Sequence, residues 1–202
     1  MAPLTADAPD ASTPDASTPD ALTPDASTPN ALTSNASTPN ALTSNAQTSS
    51  APLHDGELLA MHAALAEARA AGDANEVPVG AVLLVNGVIR VRAQNRMRRD
   101  GDATAHAELL ALREGAALFG DVALRDATLV VTLEPCAMCA GAIVLARTHR
   151  LVFGAWDAKA GMCGSVGDLV RHPRLNHRPE VQGGVLEVEN AALLRGFFAS
   201  RR

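Results

Sequence analysis

The sequence predicts an α/β domain: a five-stranded mixed sheet with helices on both faces over residues 51–202, behind a low-complexity tail over residues 1–50. Three observations carry this expectation. Strand-like and helix-like patterns run along residues 58–200 in the order helix, strand, strand, helix, strand, helix, strand, strand, helix. Alternation of this kind builds a sheet covered by helices. One connection, Asn86-Gly87, is a two-residue hairpin signal and makes its two strands antiparallel. Residues 9–48, by contrast, repeat a five-residue unit, from Pro9-Asp10-Ala11-Ser12-Thr13 to Ser44-Asn45-Ala46-Gln47-Thr48, with no aromatic and almost no large apolar side chain. Such a segment cannot bury enough surface to offset its ordering entropy, so we expect neither a fold nor a catalytic role there.

The elements follow in order. Leu58–Ala71 reads as a helix whose apolar face is Leu58, Leu59, Met61, His62, Leu65 and Ala66, stopped by Gly72-Asp73. His62 is isolated and is expected to pack on that face. Val79–Val85 is an apolar strand, and Val88–Ala93 returns from the hairpin. Asp100-Gly101-Asp102 closes a loop, and Thr104 offers an N-cap for a helix to about Leu118. Ala127–Thr132 is a strand. Pro135 suits the first turn of the next helix, which continues over Ala140–Ala146. Arg150–Phe153 and Val185–Val188 supply the last strands, and Asn190–Ser200 the last helix, with at least one of Phe197 and Phe198 in the core.

The chemistry concentrates in His106-Ala107-Glu108 and Pro135-Cys136-Ala137-Met138-Cys139. Two thiolates and a neutral imidazole are the borderline-soft donors that zinc takes. Cys136 and Cys139 are three apart at a helix start, so they project to one side. His106 and Glu108 are two apart and would diverge by about 200° inside a regular helix. Both reach one site only from the first turn. His106, Cys136 and Cys139 make three ligands, and a catalytic site keeps its fourth position for water. Glu108 is then a spare carboxylate beside that water, placed for proton transfer. Two other readings use fewer of these residues. A redox Cys-x-x-Cys leaves His106 and Glu108 unexplained. A closed structural site needs a fourth donor, such as Cys163 or another histidine.

The pattern His-x-Glu then Pro-Cys-x-x-Cys resembles the zinc nucleobase deaminases. Glu76-Val77-Pro78-Val79-Gly80-Ala81, Gln94-Asn95-Arg96, Thr132-Leu133-Glu134, Phe153-Gly154-Ala155, Asp157-Ala158-Lys159, His172-Pro173 and Leu175-Asn176-His177-Arg178 extend the resemblance. It runs from about Leu58 to the C-terminus, and these segments resemble the bacterial tRNA-specific adenosine deaminases. The resemblance implies a three-layer, cytidine-deaminase-like α/β/α sandwich, one zinc ion per subunit and a homodimer. It also implies hydrolytic deamination of the wobble adenosine of a tRNA anticodon stem-loop to inosine. Glu108 then moves the proton, and Asn95 holds the target nucleotide with the Ala107 backbone beside it. Val79 packs on the base, and Asp157, Lys159, His177 and Arg178 contact the loop and its backbone. Asn95 also reads as a plain hairpin-end turn residue, and His177 as a local structural hydrogen bond. A free-base or nucleoside deaminase of the same superfamily, and a zinc-stabilised RNA-binding protein without catalysis, stay open at this point.

Charge is uneven. The formal net charge is −5, and Asp7, Asp10, Asp15, Asp20 and Asp25 in the tail account for all of it. The remaining chain is neutral, yet Arg90, Arg92, Arg96, Arg98 and Arg99 cluster, as do Arg171, Arg174 and Arg178. Local basic patches matter more to a polyanion than the total does. Aromatic content is 2%, so stacking on protein rings is sparse. Three cysteines in 202 residues give no disulfide framework and point to a reducing cytoplasm. No run of about 18 apolar residues predicts a membrane span, and no secretory signal opens the chain.

Overall fold

The computed structural model describes residues 52–201, so the tail expectation lies outside the described residues. The elements are α1 (Glu57–Asp73), β1 (Gly80–Val85), β2 (Val88–Gln94), α2 (Met97–Asp100), α3 (Ala107–Leu124), β3 (Ala127–Leu133), α4 (Ala137–Ala146), β4 (Arg150–Ala155), β5 (Glu180–Gln182) and α5 (Glu187–Ala199). The sheet order is β2-β1-β3-β4-β5. β1 pairs antiparallel with β2 and β3, and β4 pairs parallel with β3 and β5. This is the expected five-stranded mixed sheet. Asn86 (φ 54°) and Gly87 (φ 72°) take the two positive φ values that a type I′ hairpin requires.

Alternate residues serve opposite layers. Ala81, Leu83, Leu129, Val131, Leu151 and Phe153 pack with Ala107 and Ala111 of α3 and with Ala140 and Ile143 of α4. Val82, Leu84, Val130 and Val152 pack with Ala60, Met61 and Ala64 of α1. α5 lies beside α1, against β4 and β3. The three-layer sandwich follows from period-two side-chain direction in fully buried strands.

Several expectations are corrected. α1 buries Met61 and Leu65 as expected, but Leu58 is 46% and Leu59 69% exposed, and His62 and Ala66 are exposed as well. The buried face is built on Ala60, Ala63, Ala64, Ala68 and Ala71, with Met61 and Leu65. The cause is Gly80, whose missing side chain lets the α1 backbone at Ala64 and Ala68 press directly on β1. At so close an approach only small residues fit. Thr104 does not cap α3. Its hydroxyl donates to Asp102 Oδ1 at 2.7 Å, and His106 is the capping position, its carbonyl accepting Leu110 N–H at 3.0 Å. Pro135 stands before the α4 cap, which is Cys136. Val185–Val188 is not a strand. The edge strand is Glu180–Gln182, and Leu186 turns left-handed (φ 50°) to start α5 three residues earlier than expected. Neither Phe197 nor Phe198 joins a core cluster; Phe198 is 49% exposed. The short helix α2 falls in the stretch expected to be loop.

One buried ion pair ties the first helix to the sheet. Arg150 Nε donates to Glu57 Oε1 at 2.7 Å and Nη2 to Glu57 Oε2 at 3.2 Å, while Nη1 reaches the exposed Glu180 at 3.1 Å. Both Arg150 and Glu57 are at most 2% exposed. Removing one member strands a buried charge. Glu57→Ala is therefore expected to lower unfolding stability by about 3 kcal/mol, the low end of that range because Glu180 stays. A urea titration measures it, and a loss below about 1 kcal/mol, the scale of an exposed pair, would contradict a buried-pair role.

Candidate zinc centre and active site

The centre forms where α3 and α4 begin. His106 caps α3 and Cys136 caps α4, with Cys139 in the first turn of α4. Both helices present their positive ends to the cluster, which favours thiolate. His106 Nδ1 lies 3.7 Å from Cys136 Sγ and 3.5 Å from Cys139 Sγ. The three donor atoms all fall within 4.8 Å of one another. Zinc–sulfur bonds of about 2.3 Å and zinc–nitrogen bonds of about 2.05 Å at a tetrahedral angle place N and S about 3.6 Å apart. Both spacings from His106 to the thiols thus match zinc. Among the described residues no fourth protein donor joins them. Cys163 is buried, its thiol directed at the Pro135 carbonyl, so it does not close the site.

Without metal the thiols share a proton. The hydrogen bond from Cys139, with that from His106, holds Cys136 down to about 3. The same partnership, together with burial, pushes Cys139 far up, so Cys139 carries the proton. The hydrogen bond with Cys136 raises His106 above its usual value, against a smaller opposing effect of burial. Ligation requires both protons to leave. Zinc affinity is therefore expected to rise with pH. The rise is about a hundredfold per unit while His106 is protonated and about tenfold per unit above that, with Cys139 alone releasing a proton. Competition against a chelator at a series of pH values measures the slope, and a flat profile would contradict this assignment of protons.

Glu108 sits in the first turn of α3, 4% exposed, and burial raises its carboxyl above the usual range. It opens with His106 and Cys136 into a cavity of about 180 Å³. That is below the roughly 300–1,000 Å³ of pockets for drug-sized ligands, so it takes a fragment of a larger molecule. Val77, Val79, Asn95, Met97, Leu133, Asp157 and Ala160 complete the lining. Asn95 is 4% exposed, and its amide nitrogen donates to buried Glu76 at 3.4 Å. A carboxylate only accepts, so the Asn95 carbonyl oxygen is the end left over.

Of the residues expected at the substrate, Val79, Asn95 and Asp157 line this cavity. Ala107 is buried between His106 and Glu108. Lys159, His177 and Arg178 do not line it. One ring nitrogen of His177 bonds the Thr148 carbonyl at 2.8 Å, which is the local structural role. Asp157 Oδ1 accepts the Lys159 and Ala160 amides, forming a turn. Trp156 stacks edge-on against buried Phe153, with centroids 4.7 Å apart. Sequence reasoning missed Val77, Met97, Leu133 and Ala160. Val77 and Leu133 lie beside the motif residues, but apolar side chains there look like ordinary core.

Comparison with known proteins agrees with this geometry. The cytidine and deoxycytidylate deaminase zinc-binding region matches residues 56–155. The chain is 46% identical over 144 residues to the tRNA-specific adenosine deaminase of Bacillus subtilis, covering 71% of this chain and 89% of that one. The chain belongs to the tRNA-specific adenosine deaminase family. A solved structure from a study of A-to-I editing by tRNA:A34 deaminases at the wobble position is 45% identical, with a TM-score of 0.65, covering 67% of this chain and 99% of that one. A further relative of the family fold lies within the tRNA(Ile)-lysidine synthase of Deinococcus radiodurans, 52% identical over 152 residues, 75% of this chain and 25% of that one. The family's zinc-binding region and the three-donor cluster together make zinc the ion of this centre.

Proposed function

We infer that the protein hydrolyses the wobble adenosine of a tRNA anticodon to inosine, taking up water and releasing ammonia. The observation that carries the reading is a three-donor zinc cluster, two of whose members, His106 and Cys136, open into one small cavity beside a buried carboxylate that is not needed as a ligand. The family directs that chemistry to tRNA.

His106, Cys136 and Cys139 would hold the zinc, which would supply the Lewis acidity that makes water a nucleophile near neutral pH. Glu108 accepts one proton from the attacking water and gives it to the purine ring nitrogen; it then takes the second proton, from the hydroxyl added at C6, and delivers it to the amine, so that the C6 carbonyl forms as ammonia leaves. Its raised pKa suits a group that must both take and return a proton. The Asn95 carbonyl reads the base edge, while Val79 and Leu133 pack on its face and the Ala107 backbone lies beside it. A base in an unpaired loop flips out at least cost, which favours an anticodon loop over a duplex.

The RNA outside the cavity has basic surface to follow. A second cavity of about 450 Å³ is lined by Arg92, Arg96, Arg99 and Arg113, with Glu67 and Glu114. It adjoins the Asn95 strand end in sequence. Lys159 and Arg178 are exposed for backbone contact, and Phe198 offers an exposed ring. A second copy of the chain is the expected partner of α4, which carries no charged residue and exposes Leu145 by 80%. Among the described residues no helix is long and apolar enough to cross a membrane. Three cysteines, none of them in a disulfide, fit the cytoplasm.

The test is inosine sequencing of an anticodon stem-loop after incubation with the zinc-loaded protein, beside free adenine, guanine and cytosine. Inosine at the wobble position is expected. Ammonia from free bases alone would replace this reading with the free-base one. Arg92→Ala with Arg113→Ala is expected to weaken stem-loop binding and to flatten its log–log salt dependence by about 0.7 for each phosphate the surface no longer neutralises. An unchanged slope would remove that surface from the RNA path.

A further inference from the structure

Glu134 stands two residues ahead of the first zinc thiol and takes no part in the chemistry above. It is 2% exposed and pairs with no cation among the described residues. Both of its oxygens are filled by donors from one later segment. Oε1 accepts the Cys163 amide at 2.9 Å and the Ser165 amide at 3.0 Å. Oε2 accepts the Asp157 amide at 2.9 Å and the Ser165 hydroxyl. The same segment bonds back beside the metal ligands: Met162 N–H reaches the Pro135 carbonyl at 2.9 Å, and Gly161 bridges Cys136. Gly161 lies so near the carboxylate that any side chain there would overlap it. Asp157 and Ala160, at one end of the segment, are walls of the catalytic cavity.

We propose that Glu134 is a positioning residue that pins residues 157–165 across the start of α4 and so sets the wall against which the target base rests. The clamp itself stands on the hydrogen bonds; only the identity of the base rests on the proposed function. Four donors from three residues converge on one acceptor-only group, so the group chooses the conformation of the whole segment. Glutamine is the sharp substitution. Each oxygen receives at least one backbone N–H, so the amide nitrogen of Glu134→Gln faces a donor whichever way it turns. A buried donor facing a donor is unsatisfied and costly.

The chain supplies its own probe. Lys159 is its only lysine, and it is exposed within the clamped segment. A lysine-specific protease therefore has a single site, at the place under test. With zinc loaded, Glu134→Gln is expected to be cut at Lys159 roughly tenfold faster than wild type, the scale of one missing buried hydrogen bond. Cleavage by an arginine-specific protease should stay at the wild-type rate. KM for the stem-loop should rise roughly tenfold with kcat nearly unchanged, because the wall holds the base and the proton carrier is intact. A zinc-loaded Glu134→Gln cut at the wild-type rate overturns the proposal. Equal acceleration at arginines also overturns it, since that is general loss of fold. Should Glu134→Gln fail to hold zinc, Ser165→Ala removes one of the four donors and leaves the carboxylate. Faster cutting at Lys159 in that variant supports the clamp, and an unchanged rate overturns it. Wild-type protein that makes no inosine would sink the proposed substrate while the cleavage comparison still decides the clamp.

Discussion

Glu108→Ala is expected to keep one zinc per chain and to lose about a hundred- to ten-thousandfold in turnover, the span that general acid–base transfer contributes. The two halves of this result have separate causes. The metal donors are the His106 ring and the two thiols, which face one another at tetrahedral zinc spacing without Glu108. Turnover needs a group that can hold a proton in a buried cavity and release it, and burial lifts Glu108 toward that range. Glu108→Gln keeps the shape and removes the proton exchange, so it should fall as far as alanine. Zinc content by metal analysis and inosine formation by sequencing give both readouts. Near-normal turnover in a zinc-loaded Glu108→Ala protein would end the assignment.

Cys136→Ala is expected to lose zinc itself, and turnover with it. Two protein donors would remain where a catalytic zinc site uses three. The loss should exceed the roughly 10–100-fold that removal of an outer hydrogen-bonding partner costs. Cys163→Ala is the matched control. Its thiol faces the Pro135 carbonyl and not the cluster, so that variant should keep its zinc. Zinc retained at full stoichiometry by Cys136→Ala would show that the cluster is not the metal site.

The site is more legible in the sequence than the frame around it. His106, Glu108, Cys136 and Cys139 stand out because few other chemistries use that set at that spacing. The demand that His106 and Glu108 occupy a first turn is met, although His106 itself is the cap and Thr104 serves the preceding turn. The last strand is hard to place because Val185-Leu186-Glu187-Val188 carries a strand-like apolar run. The left-handed turn at Leu186 and the adjoining glycines set the chain there instead, and Val188 ends 74% exposed. The true edge strand, Glu180–Gln182, has three residues, too few for any period to show. On α1 Leu58 and Leu59 mislead, since the sheet is approached across a glycine and the closest contacts there fall to alanines. The burial of Glu76 and Glu134 beneath the walls of the cavity shows only in the folded chain.

Strands β1, β3 and β4 have nearly every side chain packed between two helical layers. No position there is free to be rewritten for a new ligand without disturbing one layer or the other. The catalytic donors stand just beyond those strands, at helix starts. Diversity among enzymes built on this frame must therefore be written in the connecting stretches, here residues 95–105 and 156–178. Libraries aimed at a different base or RNA context belong in those two stretches, with the sheet left as it is.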